Sequence, residues 1–327
     1  MPVYNEQILR NIGGLTPDPR EIPQEVTRDV IKNTVEQSAV LQLATIRRMP
    51  QLSTRMPALS LKPTAYWLSG ASRQAKDSAR KQTSHVEWKN IVMTAEELAV
   101  LVPVADAYVA DAGIDFLAEI QPEISEAFAR LIDGAVLFGT NSPFSGTTDG
   151  QSIYQRAVAA NNTLQMGTGT DIAQDVADLT RAIVQEGFNP TGFACEPGFS
   201  WRLAAARTNQ GLNPYSPASP VDGRPASLYG RPMPEVLDGA WDSTRANLIT
   251  GDWSKCIIGI RQDMTARVMD GVITDDSGVV VYNSLEQDGK ILRVVMRLAY
   301  CTVSPTTALS SGGYPFGVLR PAGAPAS

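Results

Sequence analysis

Histidine is almost absent from this sequence: His85 is the single one in 327 residues. A Ser-His-Asp triad or a histidine-bearing zinc site must use it or not exist. His85 follows a basic segment and precedes Val86, and the chain has no G-x-S-x-G elbow, so a polar residue at a strand end is the expected role. Cysteine is nearly as scarce. Cys195, Cys256 and Cys301 lie far apart, an odd set that suits a reducing compartment and ordinary core positions better than a disulfide framework. No apolar run approaches the thickness of a bilayer, and the opening PVYNEQILRNIGG has neither a basic nor an apolar leader region, so neither a membrane span nor a secretory signal is expected. Positive charge is in deficit too. With 28 Lys and Arg against 34 Asp and Glu the net charge is −6, which argues against a protein whose role is to neutralise phosphates.

What is present is enough apolar material, 43% of residues, to fill a sizeable core. The first 22 residues carry GGLTPDPREI, running up to Pro23, and read as an arm. QEVTRDVIKNTVEQS then has the stripe of a short amphipathic helix, and AVLQLATIRRMP reads as a strand. QLSTRMPALSLKPTAYWLSG and VEWKNIVMTAEEL read as the two arms of a long hairpin whose tip holds Arg73, Lys76, Arg80 and Lys81 against the single acid Asp77. An isolated two-stranded hairpin is marginal in water, so one this long predicts a neighbouring surface to lie on.

Beyond Pro103 the period changes to that of a helix. Ile114, Leu117, Ile120, Ile124, Phe128, Leu131, Ile132, Ala135 and Phe138 step by three or four, Pro122 interrupts them, and Gly139 closes the pattern after about 36 Å of helix. A second unit begins near residue 161 with the helix TDIAQDVADLTRAIVQEG, the strand TGFACEP and the helix GFSWRLAAART. The remainder reads as strands, ASLYGRPMPEV and CIIGIRQDMTARVMDG, and then a final pair joined at EQDGK. SSGGYPFGVLRPAGAPAS reads as a flexible tail.

Three stretches invite a chemical reading. MGTGTD could present backbone N–H groups to an anion, but it lacks the Gly-Lys-Ser/Thr ending of a phosphate loop, and Thr170 or Asp171 as a helix cap is the better account. Asp115, Glu119, Glu123 and Glu126 share one side of the long helix, with Asp106, Asp111 and Asp133 nearby and only Arg130 opposing them. A di-metal helical site adds Glu-x-x-His, which is missing, so neither a metal nor any other cofactor is expected. An acidic helix and a basic hairpin tip in one chain are complementary when one copy's hairpin lies over another's helix, a head-to-tail contact of the kind that closes into rings and shells.

Taken in order, IPQEVTRDVIKNTVEQSAVLQLA, the extended hairpin, EELAVLVPVADAYVADAGIDFLAEI running on to DGAVLFG, LYGRPMPEV before GDWSKCIIGIRQDM, and RLAYCTVSP resemble tailed-bacteriophage major capsid proteins of the Hong Kong 97 type. The resemblance implies an α+β capsid fold: an N-terminal arm at 1–22, a P-domain built from 23–50, 89–160 and 252–308, an E-loop at 51–88, an A-domain at 161–251 and a tail at 309–327. It implies a structural protein without enzymatic activity that assembles with itself, as pentamers and hexamers, into an icosahedral shell around double-stranded DNA held without sequence-specific binding. The shell would form in the host bacterial cytoplasm and end in the virion. Arg73, Lys76, Arg80 and Lys81 on the E-loop and Asp115, Glu119, Glu123 and Glu126 on the spine helix become intersubunit contacts. Some members join subunits through an E-loop lysine and a P-domain asparagine with a glutamate nearby, for which Lys76, Lys81, Asn283 and Glu286 are the candidates. The chain shows no long N-terminal scaffolding segment, so a separate scaffolding protein is implied, with a portal and, in some members, a decoration protein as further partners. The alternatives are an encapsulin-like compartment around a cargo enzyme and a soluble enzyme with a carboxylate site on the long helix.

Overall fold

The computed structural model describes residues 38–63, 65, 67, 84–105, 116–169, 171–205, 227–275, 277–310 and 312–323. The arm, the first expected helix, and the hairpin tip with Arg73, Lys76, Arg80 and Lys81 lie outside these residues, as do Asp106, Asp111 and Asp115. In chain order the elements are helix α1 (Ala39–Leu43), strands β1 (Thr45–Arg48), β2 (Ser53–Leu61), β3 (Glu87–Thr94) and β4 (Glu96–Ala105), helix α2 (Phe116–Asp133), and helix α3 (Ile153–Ala159). Strand β5 (Thr163–Gln165), helix α4 (Ile172–Gln185), strand β6 (Gly192–Cys195), helix α5 (Phe199–Ala205), the short pair β7 (Ser227–Leu228) and β8 (Arg231–Pro232), and β9 (Leu248–Gly251) follow. The chain ends with β10 (Cys256–Met269), β11 (Val272–Thr274), β12 (Val280–Asn283), β13 (Gly289–Thr302) and β14 (Phe316–Arg320).

Two four-stranded sheets organise these elements, one ordered β1-β10-β13-β4 and the other β5-β14-β9-β6. The first is amphipathic by alternation. Along β4, Leu98, Val100 and Val102 turn to one face, where they pack with Met264, Leu292 and Val294 against Ile124 and Phe128 of α2. Those two and Ile132 are four residues apart and buried, as the helical period requires, and a buried π-helical turn, Gly134–Phe138, continues the helix to Gly139, whose φ of +75° makes the left-handed cap. Leu131 departs from the expected stripe: it is 43% exposed, because Phe128 and Ile132 already occupy the face that meets the sheet.

The hairpin β2–β3 packs on the first sheet at its base, and farther out Leu59 O accepts from Thr306 N at 3.2 Å and Ser60 O from Thr306 Oγ1 at 2.5 Å. Ala58, Ile91 and Met93 bury against Ile257, Ala299 and Cys301 of the first sheet, whereas Glu87–Asn90 on the distal half of β3 are exposed. The distal half is tied electrostatically, through Lys89. Arg156 of α3 bonds Asp149 Oδ1 at 3.2 Å, Thr302 Oγ1 at 3.0 Å and Ser304 Oγ at 3.2 Å, and Lys89 Nζ of the hairpin reaches Asp149 Oδ2 at 3.1 Å. Asp149 and Arg156 have mostly buried side chains, while that of Lys89 is 59% exposed. Asp149→Ala is therefore expected to cost about 3 kcal/mol, since it leaves a buried guanidinium without its counter-charge, whereas Lys89→Ala is expected to cost under about 1 kcal/mol. Chemical denaturation of the two variants checks this, and equal losses would show that Asp149 is not the keystone of the tie.

Three sequence readings need correction. The segment 39–43 is helical, not the start of a strand, because a side chain 95 positions away completes its cap: Ser38 caps it locally, and Asp133 accepts from Ser38 Oγ and from the N–H of Ala39 at 2.9 Å and of Val40 at 3.3 Å. The final strand pair, β12 and β13, does not form a hairpin. Both edges of β13 are taken by β10 and β4, so β12 pairs with β11 instead. Lastly, 309–327 is not wholly a flexible tail. Residues 316–320 form β14, fully buried between β5 and β9, with Val318 N bonded to Asn162 O at 2.9 Å and Asn162 Nδ2 donating to Tyr314 O at 3.0 Å.

In the second unit the helical period was read as it folds. Asp171 caps α4 by accepting from Gln174 N at 2.8 Å, Val176, Leu179 and Ile183 are buried, and Gly187 follows with a φ of +89°. The three cysteines are free and buried, and burial pushes their thiols up, so they sit as inert core residues.

Candidate contact surfaces

The glycine loop before α4 holds a carboxylate of its own. Asp175, buried in the first turn of the helix, accepts from Gly167 N at 2.7 Å, Gly169 N at 2.6 Å and Thr168 Oγ1 at 3.1 Å. Those N–H groups are spent, so an external phosphate finds no cradle there. His85 is exposed and lies 3.4 Å from Glu87 in the arm of the hairpin. Among the described residues no group of His, Cys, Asp and Glu is arranged to hold a metal ion, and no helix is long and apolar enough to cross a membrane.

The acids expected on one side of the long helix divide. Glu123 is exposed, and Glu126 is half-buried and paired with Arg130 Nη2 at 3.2 Å, one turn on. The side chain of Glu119 lies outside the described residues. Asp133 does not belong with them, because it is 0% exposed at the junction of α2, the π-helical turn and the entry to α1. Burial raises its pKa to about 7, Ser38 and the backbone N–H groups of Ala39 and Val40 lower it, and neighbouring Asp238 raises it further. Of the linkage candidates, Asn283 and Glu286 fall in one turn: Asn283 O accepts from Glu286 N at 3.2 Å, and Asn283 Oδ1 is engaged by Leu285 N at 3.2 Å.

Three exposed surfaces escaped the sequence reading. The outward face of the hairpin carries Leu59 beside Trp88 in register, with Trp88 exposed. The small sheet β11–β12 exposes Val272, Val280 and Val281. The third lies on the face of the first sheet opposite α2, where Glu97, Arg267, Arg293 and Arg297 line a hollow of about 230 Å³. Arg297 grips Glu97 through Nε at 2.9 Å and Nη2 at 2.7 Å, and that bond with the nearby Arg293 holds the Glu97 carboxyl below its usual range. Alternation of apolar and polar residues along a strand marks which side chains share a face, but which face another element covers is settled only by tertiary packing. Of the described candidates, Glu123 and Glu286 are exposed and Glu126 and Asn283 half-buried.

Comparison with known proteins bears on what those surfaces are for. The model of the family described as "Phage capsid family" matches residues 21–305. A "Major capsid protein" of Staphylococcus phage 80alpha is 27% identical over 283 residues, covering 84% of this chain and 79% of that protein. A solved structure from Microbacterium phage Oxtober96 superposes with a TM-score of 0.73 at 32% identity, covering 87% of this chain and 91% of the other. One from Mycobacterium phage Adephagia gives 0.74 at 26% identity, over 88% and 91%. These likenesses favour neither the encapsulin-like nor the enzymatic alternative. The chain belongs to the phage capsid family, as a structural shell protein with the Hong Kong 97-type α+β fold.

Proposed function

We propose that this chain assembles with copies of itself, as pentamers and hexamers, into an icosahedral shell that encloses double-stranded phage DNA. The observation that carries the reading is the hairpin β2–β3, which packs on its own sheet through Ala58, Ile91 and Met93 while Glu87–Asn90, the tryptophan Trp88 among them, stay exposed among the described residues, on a ribbon too thin to be stable by itself. In this reading 1–22 is an arm, 51–88 an E-loop laid on a neighbour, 161–251 an A-domain extended by β14, and the rest a P-domain. Arg73, Lys76, Arg80 and Lys81 meet the helix side that carries Asp115, Glu119, Glu123 and Glu126 on the adjacent copy. Many modest contacts per subunit then add up to a closed shell, while each alone is weak enough to let wrong associations dissociate. A separate scaffolding protein and a portal complete the assembly in the host cytoplasm, and an acidic container releases its DNA readily. Lys76 or Lys81 joined to Asn283, with Glu286 beside it, is the covalent version of the hairpin contact.

Expression of the chain with its scaffolding protein, followed by negative-stain electron microscopy and sedimentation, tests the reading. Closed shells or capsomer rings are expected, and a monodisperse monomer or dimer under those conditions would sink it. Changing Arg73, Lys76, Arg80 and Lys81 together to glutamate is expected to abolish shells and leave a folded subunit. Wild-type shells from that variant would remove the hairpin-to-helix pairing.

A further inference from the structure

On the face of the first sheet opposite α2, three arginines outnumber the one acid that pairs with them, Glu97, which lies 2.7 Å from Arg297 and 3.4 Å from Arg293. The hairpin base covers this face only near Ile257, Ala299 and Cys301. Farther along, Arg267 and Arg293 are register partners on adjacent strands, so two guanidinium groups stand directly opposite each other. Arg297 lies on the same face beside Glu97, and Leu101, the partner of Arg293 on its other side, is 48% exposed. A cationic hollow with an apolar rim invites an acidic, apolar ligand.

The chain itself carries such a segment. Beyond Met269 and Ile291, the strands β10 and β13 give way to the hairpin β11–β12 and the turn after it. Val280 and Val281 are consecutive, so they face opposite ways, yet both are exposed, and Leu285 in the turn is 83% exposed. Glu286 and Asp288 stand exposed beside it. Exposed β-branched residues on both faces of a two-stranded ribbon mark a surface that another chain covers. Hollow and hairpin are successive stretches of the same strands, so their union takes two copies.

We infer that the valine-rich, acidic hairpin of one copy docks on the arginine hollow of another, its Glu286 and Asp288 carboxylates meeting Arg293 and Arg297 while its valines cover Leu101. The contact joins unlike patches and is therefore head-to-tail, closing into a ring when the rotation between copies allows it. This inference rests on the self-assembly reading above and adds a second contact to it, one that engages Glu286 in place of the covalent linkage to Lys76 or Lys81.

The test is a charge swap in the full chain, read as shell yield by sedimentation and electron microscopy. Arg293→Glu and Glu286→Lys are each expected to lower shell yield by roughly tenfold or more, and the double variant, which restores an opposite-charge pair between copies, to recover most of it. Circular dichroism and the thermal midpoint of the unassembled subunit are expected to match wild type. Glu286 sits in an exposed turn, so its variant and Val281→Asp carry the test even where Arg293→Glu fails to fold. Wild-type yield from Glu286→Lys and Val281→Asp, or a double variant no better than the singles, overturns the docking while wild-type shells leave the self-assembly reading standing. No shells from wild type overturns both.

Discussion

Asp133→Asn is expected to make the unassembled subunit more stable above pH 7 and to shrink the difference in its stability between pH 5 and pH 8. The wild-type carboxyl is fully buried, and its pKa is raised from 3.8 to about 7, chiefly by burial. A carboxyl whose folded pKa lies above its unfolded one binds its proton more tightly in the folded state. Below the unfolded value both states hold the proton and nothing is lost. As pH climbs from about 4 towards 7 the unfolded chain ionises freely while the folded one resists, so stability falls, and above 7 the loss is constant. Three pH units correspond to a penalty on the order of 4 kcal/mol.

Asparagine removes that penalty and keeps one acceptor oxygen for the N–H of Ala39 or Val40. It gives up the second acceptor, at a cost of about 1 to 2 kcal/mol. The balance at pH 8 is a gain on the order of 2 kcal/mol, and at pH 5 a smaller difference. Urea unfolding at the two pH values measures it. A variant less stable than wild type at pH 8, or one with an undiminished pH slope, would show that the ionised carboxylate is what the cap of α1 requires.

The same residue shows where sequence reasoning stopped. Elements built on local periodicity were legible: the stripe of α2, the capped α4 with Asp171 at its head, and the long strand β10 all follow from spacing and propensity. Asp133 read as one more acid on a wet helix side because its partners are separated from it by 93 to 95 positions. The helix at 39–43 was missed for that reason too, since five residues nucleate poorly without a cap delivered from elsewhere. The contact surfaces were half legible. Charge in the hairpin tip can be read from composition, but Arg267 opposite Arg293 is a fact of register, and register is set by pairing across the sheet.

Deleting residues 309–327 is expected to be the most damaging change of all, leaving an insoluble or unfolded chain. A Gly- and Pro-rich terminus reads as dispensable, and YPFGVLR is short enough to be passed over. Yet Tyr314, Phe316, Val318 and Leu319 are all buried, and β14 is an interior strand of the second sheet. Each such side chain contributes roughly 1.5 to 3 kcal/mol by burial, so the four together rival the whole net stability of an ordinary domain, about 5 to 15 kcal/mol. The deletion also strips β5 and β9 of their shared partner and exposes two strand edges, which favours aggregation over a soluble partly folded state. Phe316→Ala grades the effect: it stacks edge-on against Trp253 at 5.2 Å between ring centroids, and its loss is expected to cost about 3 to 5 kcal/mol. Soluble expression, circular dichroism and the thermal midpoint of both variants decide the matter. A deletion that folds with a wild-type midpoint would mean that β14 rests on the sheet without holding it together, whereas loss of the fold makes the last strand the closing piece of the unit that begins near residue 161.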